Sequence, residues 1–303
     1  MHRALSSSSP SIHRRTLLAA AALPWLGGCG HPLPLRPAPP ESDPKATALL
    51  LASARAHGLD AYRQLHDINI AYDGQWRPLI DGIQPEVVDA GHRGPSEERL
   101  MPRLGVNAQA YRGVKGRKFV HWRRGTGQGD DLGRVAVWFN GTPSTDPARL
   151  RAAALVAEGY ALFLLGPLWL IDRDARLRLA GSERVDGRHC EVVEAWVRPG
   201  LGQVAGDRVA LFIDREQITR RVRFTLEGTA NTAGAVAEVD CFDHQSRFGV
   251  LWPMRSYEEV RHPIRLPAHD WRITGLDVNR GYPPEALAGP DFTGAAAPPA
   301  RAL

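Results

Sequence analysis

The chain has 303 residues and a formal net charge of +5, a length that holds one large or two ordinary domains. Three of its arginines fall in residues 1–28, which contain no acid, so the remainder carries 35 basic against 33 acidic residues, or +2. A nucleic-acid footprint needs a clustered basic stripe. The short groups Arg112 to Arg117 and Arg123-Arg124 are discontinuous and read as solvated hairpin edges. Contact with anionic headgroups is the lesser reading.

Arg14-Arg15, the apolar run Leu17 to Trp25, and Leu26-Gly27-Gly28-Cys29 follow one another in the order of an export signal. The apolar run is too short to cross about 30 Å of hydrocarbon, so residues 1–28 are expected to be removed and Cys29 to become the first mature residue. Twin arginines leave both the Sec and the Tat route open. Residues 29–43, with Pro32, Pro34, Pro37, Pro39 and Pro40, have the composition of an extended tether.

The domain is expected over residues 44–281. Ser42 or Asp43 can cap a helix with Pro44 in its first turn and Leu50, Leu51 and Ala54 on its apolar stripe, ended by Gly58. Strand alternation starts at Ile68, and residues 73–96 read as a long irregular loop. Strands follow over 99–103, 108–114, 118–123 and 134–139, joined by a tight turn at Lys115-Gly116 and a longer loop from Gly125 to Asp131. Asp146-Pro147 starts a helix expected to end at Gly159. Tyr160 to Ile171 is the most hydrophobic stretch after the signal, broken by Gly166-Pro167.

The second half reads as antiparallel strands over 176–183, 190–197, 208–214, 218–226, 235–243 and 250–257, with a strong hairpin turn at Asp186-Gly187. In 218–226 alternation predicts one covered and one wet face. Pro253 predicts an edge or a bulge, and the parity change near Gly275 predicts a bulge in a last strand over 271–278. Residues 282–303 read as a loose tail. Cys190 and Cys241 lie in strands with two others between them, about 14 Å apart in a simple meander. A disulfide needs Cα atoms within about 7 Å, so two separate buried thiols are expected.

The sequence resembles two groups. Leu26 to Cys29 resembles the lipobox of bacterial lipoproteins, which implies a diacylglycerol on the Cys29 thiol and an acyl chain on its amine. Each buried methylene contributes roughly 0.8 kcal/mol, and two or more chains make a stable membrane anchor. Gly30 after Cys29 implies, within that group, the outer membrane, with the domain facing the periplasm. Ala56 to Leu59 leading to Tyr62 and Leu65, Leu162 to Pro167, Val185 to Arg188, Leu211 to Asp214 and Gly249 to Pro253 resemble the LolA-like and LolB-like periplasmic lipoprotein carriers. That resemblance implies an α+β fold: a curved antiparallel half-barrel of about ten strands with helices on its concave face, holding acyl chains. No functional residue carries over.

Alternation then nominates a ligand lining: Leu162, Leu164, Leu165, Leu168 and Trp169 from the helical segment, with Val222, Phe224, Leu226, Ala235, Ala237 and Val239 from the strands. The same positions also read as plain core. No Gly-x-Ser-x-Gly, His-Glu-x-x-His or P-loop motif is present, so no enzyme activity, metal or cofactor is expected. The expected function is a lipid-anchored envelope protein binding or shielding a hydrophobic ligand. Two alternatives stay open: a scaffold with a filled core that docks a protein, and a hydrolase using Asp240, Asp243 and His244 with His189 or His262 nearby.

Overall fold

The structure is a computed structural model and describes residues 31–282. Cys29, the segment before it, and residues 283–303 lie outside the described residues. The Asp43 carboxylate accepts from the Lys45 backbone N–H at 2.8 Å and caps α1 (Pro44–Ala56), with Pro44 in its first turn as the sequence predicts. Gly58, at φ +87°, then turns the chain into α2 (Leu59–Tyr62), and a Cβ there would lie 2.1 Å from the Gly249 carbonyl oxygen. Only glycine fits that approach.

Strand β1 (Ile68–Trp76) leads into the expected irregular loop, which instead contains two short helices, α3 (Pro78–Ile83) and α4 (Pro85–Val88). A proline opens each, and single turns have too little periodicity to be read from sequence. Then come β2 (Ser96–Met101), β3 (Val106–Gly113), β4 (Gly116–Arg124), β5 (Gly133–Phe139) and the two-residue β6 (Thr142–Pro143). Helix α5 (Pro147–Leu165) runs straight through Gly159, where a stop was expected. From Ala152 onward almost every side chain of α5 is buried, so packing all round it outweighs the roughly 1 kcal/mol cost of one mid-helix glycine. The break comes at Gly166, φ +50°, before α6 (Pro167–Leu170). Among the described residues no helix is long and apolar enough to cross a membrane.

The remainder is a meander: β7 (Asp174–Val185), β8 (Arg188–Arg198), β9 (Asp207–Asp214), β10 (Thr219–Thr225), β11 (Val236–Phe242), the small hairpin β12 (Gln245–Arg247) and β13 (Val250–Trp252), then β14 (Arg255–His262) and β15 (Leu266–Val278). Asp186 and Gly187 take the positive φ values, 47° and 75°, of the predicted hairpin turn. Pro253 separates β13 from β14, so the run predicted over 250–257 is two strands in two different sheets. The bulge predicted near Gly275 is present: the β1 register shifts between Ala71, opposite Gly275, and Tyr72, opposite Ile273.

Thirteen strands form one open antiparallel sheet, in the order β6-β5-β4-β3-β2-β1-β15-β14-β11-β10-β9-β8-β7. The architecture is α+β, an unclosed curved sheet as expected, with more strands than the predicted ten. Alternate residues of β8 to β11, such as Val193, Leu211, Phe224 and Val239, pack against Leu162, Leu165, Leu168 and Leu50 of the helices to form the main core. Cys190 and Cys241 are free and buried, three strand spacings apart. They also belong to hydrophobic clusters on opposite faces of the sheet.

The second face of β10, predicted to be wet, is covered. Arg223 is 4% exposed, holds Glu183 and Glu238, and donates to the Pro32 carbonyl at 2.7 Å. The Pro-rich segment expected to stand clear as a tether lies across this convex face. His31 packs on His262 of β14 with ring centroids 4.3 Å apart. Arg208 of β9 then donates to the Leu33 carbonyl, Trp196 of β8 to the Arg36 carbonyl and Arg178 of β7 to the Pro37 carbonyl. Leu33, 4% exposed, seals a cluster with Phe212, Val192 and Cys190. At the β7 edge Asp43 N–H donates to the Leu177 carbonyl, and the chain turns under into α1. Prolines suit this strap because they hold it extended while its carbonyls accept from the sheet's arginines and indole.

Candidate ligand site at the seam of the half-barrel

Helix α5 builds the site because its two halves differ. Ala153, Ala154 and Ala157 bring the first half close to Val120, Trp122 and Val137 of β4 and β5, while the second half is aromatic and leucine-rich and fills the core beside β8 to β11. Glu158 sits at the junction, 2% exposed. Trp122 Nε1 donates to it at 2.6 Å and Trp169 Nε1 at 3.0 Å. Arg173, just beyond α6, donates to the same carboxylate, and Arg124 Nη1 lies 3.5 Å away. A buried carboxylate is tolerated only when its charge and lone pairs are met, as here. Burial pushes the Glu158 carboxyl up, but the Arg173 and Arg124 charges and the two indole N–H groups outweigh it and hold it below the usual range.

Beside this knot the half-barrel opens. A cavity of about 250 Å³ has an apolar wall of Leu65, Leu100, Ala161, Leu165, Leu168 and Trp169. Arg103, Arg124 and Arg173 border it too and also border a second cavity, of about 580 Å³. The second lies where the two ends of the open sheet approach each other: Arg123, Arg124 and Arg134 come from β4 and β5, Asp174 and Arg198 from β7 and β8. Gln203 Nε2 bridges this seam to the Gly133 carbonyl at 3.2 Å. The two openings share Arg103, Arg124 and Arg173 at their border, the first with an apolar wall and the second mostly cationic.

The predicted lining residues separate into three groups. Leu165, Leu168 and Trp169 border the 250 Å³ cavity, while Phe224 and Leu226 border a 30 Å³ void with Tyr160 and Phe163. Leu162, Leu164, Val222, Ala237 and Val239 pack within the core at 5% exposure or less, and Ala235 joins them at 7%. Glu158 and Arg173 were not singled out from the sequence, and Arg124 was read only as part of a solvated hairpin edge. One signal for Glu158 was available: it is the single charge between Ala152 and Leu170, in a stretch otherwise apolar all round.

Asp240, Asp243 and His244 do not converge. Arg221 holds Asp240 at 2.8 Å, Arg255 holds the exposed Asp243 at 3.2 Å, and His244 Nδ1 lies 3.4 Å from Arg220. Burial, with Arg220 and His57 nearby, pulls His244 down to about 4. His262, an expected partner of this cluster, packs on His31 instead. Among the described residues no group of three or more His, Cys, Asp or Glu side chains is placed to hold a metal ion.

A second polar knot lies deeper. Arg93, from the loop before β2, donates to the Tyr160 hydroxyl at 3.0 Å and lies 4.6 Å over the Trp76 ring and 5.3 Å over Tyr111. Burial raises Glu98 to about 7 against the pull of its hydrogen-bonding neighbours and of Arg93. A 30 Å³ void lies beside this knot, which plugs the interior.

No protein-family model matches the chain, and no curated protein matches it. Comparison with solved structures finds similar chains at low identity. A DUF1329 family protein from Desulfovibrio piger has a TM-score of 0.49 at 12% identity, covering 82% of this chain and 98% of that one. The lipoprotein LppX from Mycobacterium tuberculosis has a TM-score of 0.25 at 16% identity, covering 62% and 91%. A LolA superfamily protein from Nitrosomonas europaea is also similar, with a TM-score of 0.49 at 11% identity over 80% and 97%.

Proposed function

We propose that the chain is an envelope lipoprotein, anchored through Cys29 at the outer membrane, that binds or shields a hydrophobic ligand by shape and apolar area without covalent chemistry. The observation that supports this reading is the open cleft beside Leu165, Leu168 and Trp169 at the end of the buried helix pair. Ligand pockets typically occupy about 300–1,000 Å³, and the 250 Å³ cleft and the adjoining 580 Å³ cavity are of that order. Lipid mass spectrometry on solvent extracts of the purified protein, with titration of the neutral fluorophore N-phenylnaphthylamine, tests it. A co-purifying amphiphile and saturable fluorophore binding are expected. Repeated absence of both removes the ligand reading.

The scaffold alternative draws on a different observation: Leu162, Val222 and Val239 are fully covered and α5 is buried all round, so most of the half-barrel is solid. It becomes the leading reading if the cleft proves empty and inert in those experiments.

A further inference from the structure

We infer that the seam of the half-barrel is a binding site for a phosphate-type oxyanion, placed to receive the headgroup of an amphiphile whose apolar part occupies the adjoining cleft. This deepens the ligand reading above and rests on it only for the apolar part. Arg173 carries the inference. Its side chain is 4% exposed and borders both cavities. One of its terminal nitrogens, Nη2, is taken by Glu158, while Nε and Nη1 are buried with no hydrogen-bond partner. Donors left in that state are costly unless a ligand or water meets them. The Trp169 ring, 3.4 Å from the guanidinium carbon, fixes the plane of the group.

The surroundings favour an anion. Arg103, Arg123, Arg124, Arg134 and Arg198 join Arg173 around the larger cavity, against Asp131, Asp172 and Asp174. Those acids are partly committed: Asp131 accepts from Thr126 and Asp172 pairs with Arg63 at 3.1 Å. Among the described residues, Arg103, Arg123, Arg134 and Arg198 form no salt bridge within 4.0 Å. Folding has therefore gathered cations from three strands, β4, β5 and β8, and two turns, and four of these six arginines have no carboxylate partner. Planar guanidinium forks match the oxygen pairs of a phosphate, which a single ammonium does not.

The test titrates the full domain with three probes: inorganic phosphate, lysophosphatidylglycerol, and lysophosphatidylcholine of the same acyl length, both lipids below their micelle thresholds. The anionic lipid is expected to bind about tenfold or more tightly than the zwitterionic one, with the difference shrinking as salt rises. The triple variant R123Q/R134Q/R198Q changes only exposed rim side chains, so it is expected to fold normally and to lose that preference. R173M removes the buried donor, and thermal unfolding of this variant checks that its fold survives. Binding of phosphate alone, with neither lipid bound, supports a site for the free oxyanion and removes the apolar ligand. Equal binding of both lipids, unaffected by the rim variant, overturns the headgroup site and leaves the apolar cleft standing. Failure of both phosphate and the anionic lipid to bind also overturns it.

Discussion

Removing the Glu158 carboxylate tests the knot that holds α5, α6 and β4 together. In E158A, Arg173 keeps its charge at 4% exposure with its partner gone, and the Trp122 and Trp169 N–H groups lose their acceptor. Breaking one side of a buried ion pair typically costs about 3–5 kcal/mol, much of it the penalty of the charge left behind. For a domain of this size each kcal/mol moves the melting temperature by roughly 2–4 °C, so Tm is expected to fall by about 6–20 °C. The double variant E158A/R173M removes the stranded charge as well, and should regain most of the loss even though it lacks both partners. Thermal and urea unfolding of the wild type, both single variants and the double variant complete a cycle. A loss under about 1 kcal/mol in E158A, or strict additivity in the double variant, would refute the reasoning.

Glu98 gives a prediction in pH. Burial raises its pKa from 4.5 to about 7, so the folded state favours the protonated form, and its contribution is full below about pH 4.5 and lost as pH rises towards 7. E98Q, which cannot ionise, should gain on the wild type across that window by up to the order of 3 kcal/mol; parallel urea midpoints at pH 4.5 and pH 7.5 would contradict this. Leu33 tests the strap: L33A opens the cluster over Phe212 and should cost about 2–4 kcal/mol in urea unfolding. An unchanged midpoint would mean the strap does not hold in solution.

Local chemistry carried most of the fold. Asp186-Gly187, Gly166-Pro167, Pro253 and the parity change near Gly275 each mark a turn, break or bulge where the backbone has one. Periodicity failed where burial is not one-sided. Helix α5 passes Gly159 because all its faces are covered, so no stripe exists for a glycine to interrupt. Every residue of β9 is buried on both faces, and the strap that covers the outer one is too rich in proline to resemble core. The site was harder still, because Arg103, Arg124, Arg173 and Arg198 are far apart in sequence and meet only through the curl of the sheet. Arg123-Arg124 read as a solvated hairpin edge, and only the second of the pair reaches Glu158.

The strap along the convex face changes what an N-terminal anchor would mean mechanically. A single residue, Gly30, separates Cys29 from His31, which already packs on β14. At about 3.5 Å per residue, an acylated Cys29 could lie only some 7 Å from the barrel wall. Such a body could not drift on a leash or sweep the space above the bilayer. It would stay close to the headgroups, with the β14 end of the strap nearest the bilayer.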